Sequence, residues 1–189
     1  MASTFPTTLD AFTNPLSTDV LTSPSHAQQH SDLNDAVEAL EAKVAIGNTV
    51  LGTYTAYTPT FTGFTLGNGT VTSAFCRVNG FVHYYAEVTL GSTSSVTGPV
   101  FLSAPVNVNA GMLASGSDST AYIYGTASFT DQGTLVNYGW ITSSTATEMR
   151  LMVELTNATY AQRISMNTTV PFTWVSTDSF RFNAYYRAA

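Results

Sequence analysis

The chain has 189 residues, of which 44% are hydrophobic and only 10% charged, with a net charge of −6. A typical globular protein is about one-quarter charged, so Ser, Thr, Asn and Gly here make a polar surface that is almost uncharged. That balance excludes a basic footprint for nucleic acid and disfavours an anionic membrane surface.

Charge and cysteine refine this. Residues 1–46 carry Asp10, Asp19, Asp32, Asp35, Glu38 and Glu41 against Lys43 alone, whereas residues 47–189 balance six carboxylates with five arginines. The acidity therefore belongs to the N-terminal part. Cys76 is the single cysteine, so no intrachain disulfide is expected. Met1 leads into Ser/Thr/Pro-rich sequence with no basic or apolar leader, so no signal peptide is expected. No apolar run reaches the roughly 18 residues of a membrane span.

Residues 1–30 are expected to form an extended arm. Pro6, Pro15 and Pro24 oppose helix and bias the residues before them to extended backbone. Phe5, Leu9, Phe12, Leu16, Val20 and Leu21 recur through the stretch, which a purely solvated linker would not need. They are candidate anchoring residues that order on another protein, with a partly disordered tail as the alternative.

Residues 31–46 read as a helix. Ser31 is placed as N-cap, Asp32 and Asp35 in the first turn, Lys43 in the last, and Gly47 as the stop. Leu33, Val37, Leu40 and Val44 are spaced 4, 3, 4, an a/d seam. Two heptads are too short to stand alone in water, so self-association is expected, with packing on the chain's own β-domain as the alternative.

From about residue 53 the hydrophobic period becomes two. Residues 53–189 read as one all-β domain, a sandwich or jelly roll. Strands are expected at 81–90, with Val82, Tyr84, Ala86, Val88 and Leu90 on one face, and at 120–129, 134–141, 149–155 and 179–187. Turns are expected at Gly67-Asn68-Gly69, Asn79-Gly80, Ser115–Asp118 and Asp131-Gln132-Gly133. Ser92–Ser95 and Ser143–Thr147 read as low-complexity loops.

Chemistry is sparse. Cys76 reads as an inert strand thiol and His83 as a sheet-face histidine on the side opposite Val82. No nucleophile elbow or phosphate loop is present. Glu87 and Glu154 are the mid-strand carboxylates that a glycosidase-type cell-wall hydrolase would use; pairing with arginines on neighbouring strands is the expected role. His26 and His30 would share a helical face, a spacing that can hold zinc but needs a third ligand; packing or capping is the expected role. No cofactor, metal or catalytic residue is assigned. Asn68, Asn157 and Asn167 head glycosylation triplets that occur by chance in so Thr-rich a chain. Tyr54, Tyr57, Tyr122, Tyr124, Tyr138, Trp140 and Trp174 could line a saccharide site; at strand spacing, core or sheet surface is the expected role.

The stretch Ser23–Val44, SPSHAQQHSDLNDAVEALEAKV, resembles a segment found near the N-terminus of tailed-bacteriophage structural proteins of minor tail, fibre and head-decoration type. The preceding Leu9-Asp-Ala-Phe-Thr-Asn-Pro fits the same pattern. Tyr57–Val71 resembles the opening of β-domains in such proteins, and Phe180–Ala189 their last strand. The resemblance implies a non-enzymatic virion protein assembled in the host cytoplasm, commonly a trimer. Residues 1–30 would then anchor it to other virion proteins, and residues 31–46 would register the chains. The β-domain would face the medium, where a host-surface saccharide or protein is the contact. Two roles follow, a tail-associated surface fibre or a capsid decoration (head-fibre) protein stabilising the shell. The chain is short for a receptor-binding fibre, which favours decoration, whereas the arm–helix segment occurs often in minor tail proteins, which favours the tail.

Overall fold

A computed structural model describes residues 25–44, 52–113, 122–143, 145–156 and 161–189, without the side chains of residues 41–44 and 161. The chain divides into two compact units, Met1–Thr53 and Tyr54–Ala189. The six candidate anchoring residues of the arm, Phe5 to Leu21, lie outside the described residues.

The described part of the first unit is one helix, α1, His26–Val44. It starts five residues upstream of the expected Ser31. Ala27, Gln28 and Gln29 are good helix formers. The Ser25 carbonyl accepts from the Gln29 N–H (3.0 Å). Ser31 is therefore an interior residue rather than a cap, and no acidic residue lies in the first turn. Asp32 instead accepts from Gln28 Nε2 one turn earlier (2.7 Å), a same-face i,i+4 pair. Ala45, Ile46 and the Gly47 stop lie outside the described residues.

The second unit is mainly β, a curled antiparallel sheet. Its strands are β1 (Thr55–Ala56), β2 (Phe61–Thr65), β3 (Thr70–Val78), β4 (Phe81–Thr89), β5 (Ser95–Ser103), β6 (Gly125–Asp131), β7 (Leu135–Thr142), β8 (Glu148–Thr156), β9 (Ala161–Ser165) and β10 (Ser179–Arg187). They run in the order β1-β3-β4-β10-β6-β7-β8-β5-β2, with β9 on β8.

Connectivity explains the curl. β2 and β3 are joined by residues 66–69 only, yet β2 is one end of the order and β3 the second strand from the other. So short a connection cannot cross a flat sheet, and the ends must approach. Tyr57, just past β1, ties them: its hydroxyl meets Ser103 Oγ of β5 at 2.6 Å. Edge-strand Phe64 likewise packs on Phe180 of central β10, ring centroids 5.6 Å apart. Gly125 and Gly139 mark the tight places. A Cβ on Gly139 would lie 1.9 Å from the Met152 carbonyl oxygen, and one on Gly125 would lie 1.8 Å from that of Asn183.

The inside of the curl is the core. Val82, Tyr84, Ala86, Val88 and Leu90 are all buried, as the period-two pattern requires. Phe180, Phe182, Ala184 and Tyr186 of the neighbouring β10 lie beside them on the same inner face, with Phe129, Ile141, Leu151 and Val153 also in the core. Burying each large side chain contributes about 1.5–3 kcal/mol. Two of the buried phenols find carbonyl partners: Tyr124 donates to that of Met112 (2.6 Å) and Tyr186 to that of Val106 (2.8 Å).

Turns follow their residues. Asn79 (φ 48°) and Gly80 (φ 81°) form the two-residue β3–β4 connection, both left-handed, which Asn-Gly favours. The Gly67-Asn68-Gly69 turn also orders the Ser92–Ser94 loop. Asn68 Oδ1 accepts from the Thr93 N–H (2.9 Å), and Asn68 Nδ2 donates to Ser92 Oγ (3.0 Å). β5 begins at Ser95, so that residue is strand rather than loop. In the Ser143–Thr147 segment, the Ser143 hydroxyl is buried against the carbonyls of Thr145 and Glu148. The expected strand at 120–129 begins only at Gly125, and the Ser115–Asp118 turn lies outside the described residues.

Candidate interaction surfaces

Two surfaces stand out, one on each unit. On α1, Leu33 (56% exposed), Val37 (44%) and Leu40 (51%) form an apolar stripe open to solvent. Their 4, 3 spacing puts them on one face. Val44 continues the spacing at the last helical residue, and its side chain lies outside the described residues.

On the second unit the outer face of the sheet is aromatic. Strand parity sends Val82 and Tyr84 inward and therefore His83 and Tyr85 outward. Register then places Cys76, His83 and Tyr185 side by side on β3, β4 and β10. His83 stacks on Tyr185 with centroids 4.1 Å apart and planes 13° from parallel. The Tyr54 hydroxyl bonds His83 Nδ1, and the Tyr54 ring meets Tyr85 edge-on at 5.6 Å. Burial lowers the His83 pKa below its ordinary value, with Asn183 acting in the opposite direction. Tyr185 is 63% exposed, exposed Phe81 (60%) flanks this cluster, and Tyr138 (70%) stands further along the same face.

Charges on this face are arranged to cancel. Glu87 stands opposite Arg181, and Glu154 opposite Arg163. Arg181 Nε also donates to Ser128 Oγ (3.1 Å), and the Arg163 guanidinium lies 4.8 Å from the Trp140 ring centre. The result is an aromatic and hydroxyl-rich surface with little net charge.

The expected site residues divide. Tyr54, Tyr122 and Tyr138 are exposed, and Trp140 lies on the outer face beneath Arg163. Tyr57, Tyr124 and Trp174 turn inward: Tyr57 packs on Tyr84, Tyr124 is buried, and Trp174 packs on Phe129 and Phe180. These three do not belong to an outer saccharide surface. Sequence reasoning missed Tyr85, Tyr185 and Phe81, and gave His83 no partner; the outward parity of 81, 83 and 85 was the available signal. Glu87 and Glu154 lie on strands four steps apart in the order, about 19 Å along the sheet. Glycosidase carboxylates stand within about 5–9.5 Å, so the two are not brought together. Among the described residues no three His, Cys, Asp or Glu cluster as metal ligands. His26 and His30 do meet, as a pair. Compared with protein-family models, curated proteins and solved structures, the chain matches none.

Proposed function

We propose that this chain is a non-enzymatic structural protein of a bacteriophage virion, a trimeric tail-associated surface fibre whose β unit contacts the host surface. One observation carries the reading. A helix in its own compact unit exposes an apolar stripe, Leu33, Val37 and Leu40. A water-facing stripe of this kind is stable only when another surface covers it, and its heptad spacing suits identical helices. The resemblance of Ser23–Val44 to phage arm–helix segments supports the same assignment. The curled sheet is read as a sandwich or jelly-roll type of wrap. Its near-neutral outer face, rich in Tyr and hydroxyls, suits contact with a saccharide or protein, because aromatic rings give large contact area with a polar tip. Residues 1–30 anchor the assembly to neighbouring virion proteins.

Gold labelling of intact particles with an antibody to the β unit tests this. Label at the tail is expected. Label spread over the head assigns the chain to capsid decoration instead, and purified particles without label overturn both virion roles.

A further inference from the structure

The start of α1 at His26 changes the content of its stripe. His26, His30, Leu33, Val37, Leu40 and Val44 follow steps of 4, 3, 4, 3 and 4, all within one uninterrupted helix. The seam therefore has two further layers, and both are histidine.

The two imidazoles are turned toward one another. Their Nε2 atoms are 3.0 Å apart, with the rings edge to face and centroids at 4.5 Å. Between metal-free rings this is a hydrogen bond, in which one Nε2–H donates to the lone pair of the other. With both lone pairs free and the rings turned so that these converge, the same pair is a two-nitrogen clamp. Imidazole nitrogen binds zinc at about 2.0–2.1 Å, and other first-row divalent ions bind it at similar length. Two such bonds at right angles separate the nitrogens by about 2.9–3.0 Å, and at the tetrahedral angle by about 3.3–3.4 Å. The observed spacing matches the first case and needs only a small ring rotation for the second. Imidazole ligands select nickel, copper or zinc over magnesium or calcium.

We propose that His26 and His30 form a divalent transition-metal site at the N-terminal end of the helix seam. Each chain offers both Nε2 atoms to an ion, and in the assembly copies that share one ion fill its remaining positions with their own His26 and His30. The second half rests on the self-association reading under the proposed function; the clamp itself does not.

The test is calorimetric titration of the tag-free full chain with nickel, paired with sedimentation velocity in nickel and in chelator. Expected are saturable binding of at most one ion per chain and an assembly that survives greater dilution in nickel than in chelator. His26→Gln and His30→Gln should each weaken binding at least tenfold, with magnesium failing to compete. Both positions are exposed and Gln is a good helix former, so unchanged circular dichroism confirms that the variants fold. No nickel binding, or binding unchanged in both variants, overturns the site. The two readings fail differently. A chain that stays monomeric yet loses nickel on either substitution keeps the clamp and overturns the seam. An assembly that forms and ignores nickel keeps the seam and overturns the site.

Discussion

Asp178 is a buried carboxylate that joins three parts of the β unit. It is 0% exposed. Its Oδ1 accepts from the Gln132 N–H in the β6–β7 connection (3.0 Å), and its Oδ2 from the Val175 N–H (2.7 Å). Its own carbonyl accepts from Leu90 N–H at the end of β4 (2.8 Å). Asp178→Ala removes both side-chain bonds and leaves two amides without acceptors. Hydrogen bonds to a charged group contribute about 1.5–3 kcal/mol each, so a loss of roughly 3–5 kcal/mol is expected. Asp178→Asn keeps one acceptor but turns an NH₂ toward the other amide, costing roughly 1–3 kcal/mol. The unfolding entropy of a unit this size is about 0.3 kcal/mol/K. The expected drops in Tm are therefore about 10–17 °C for Ala and about 3–10 °C for Asn. Both tryptophans of the chain, Trp140 and Trp174, lie in the β unit, so their fluorescence during thermal unfolding follows that unit alone. A fall of less than about 3 °C for Asp178→Ala would refute the bridging role.

Four further outcomes are expected. Leu33→Asp with Leu40→Asp should yield monomers in sedimentation while the tryptophan-detected Tm stays unchanged; an intact oligomer would show that the stripe does not hold it. Gly139→Ala should destabilise the β unit by more than about 2 kcal/mol, because its Cβ meets the Met152 carbonyl and overpacking of this kind costs about 1–3 kcal/mol or more; urea unfolding measures it. Tyr185→Ser, at an exposed position that stacks on His83, should lower stability by no more than about 1.5 kcal/mol yet weaken adsorption to host cells. Burial raises the pKa of Tyr84, Tyr124 (to about 12) and Tyr186 above the usual 10.0. The folded state thus binds these protons more tightly, so stability holds up to pH 10 and falls as the pH rises from 10 towards 12. The slope for Tyr84 is at most about 1.4 kcal/mol per pH unit, and a pH series of urea midpoints with a shallower fall in Tyr84→Phe checks it.

The legible parts of the fold were those where local rules act alone. β4 was readable because alternation and burial coincide over its whole length, and its turn because Asn79-Gly80 suits two left-handed residues. β5 was hidden by Gly98-Pro99, which argue against a strand. The register of β2 against β5 shifts between Thr62 and Phe64, and such irregular pairing on a strand tolerates proline. The helix start was misread because Ser31 followed by Asp32 imitates a cap, whereas Ala27–Gln29 extend the helix in practice. The candidate surfaces divide in the same way. The Leu33–Leu40 stripe is a local spacing and was visible. The His83–Tyr185 stack depends on β4 pairing with β10, about a hundred residues apart, which no local pattern reveals. Trp174 sits in irregular backbone, where no period tells inside from outside.

The exposed stripe of α1 is the feature on which the assembly reading depends. Sedimentation equilibrium of the full chain tests it directly. The account predicts a species of about three times the 20.2 kDa chain mass, converted to monomer by Leu33→Asp with Leu40→Asp. A wild-type chain that sediments as a 20.2 kDa monomer at micromolar concentration would contradict it.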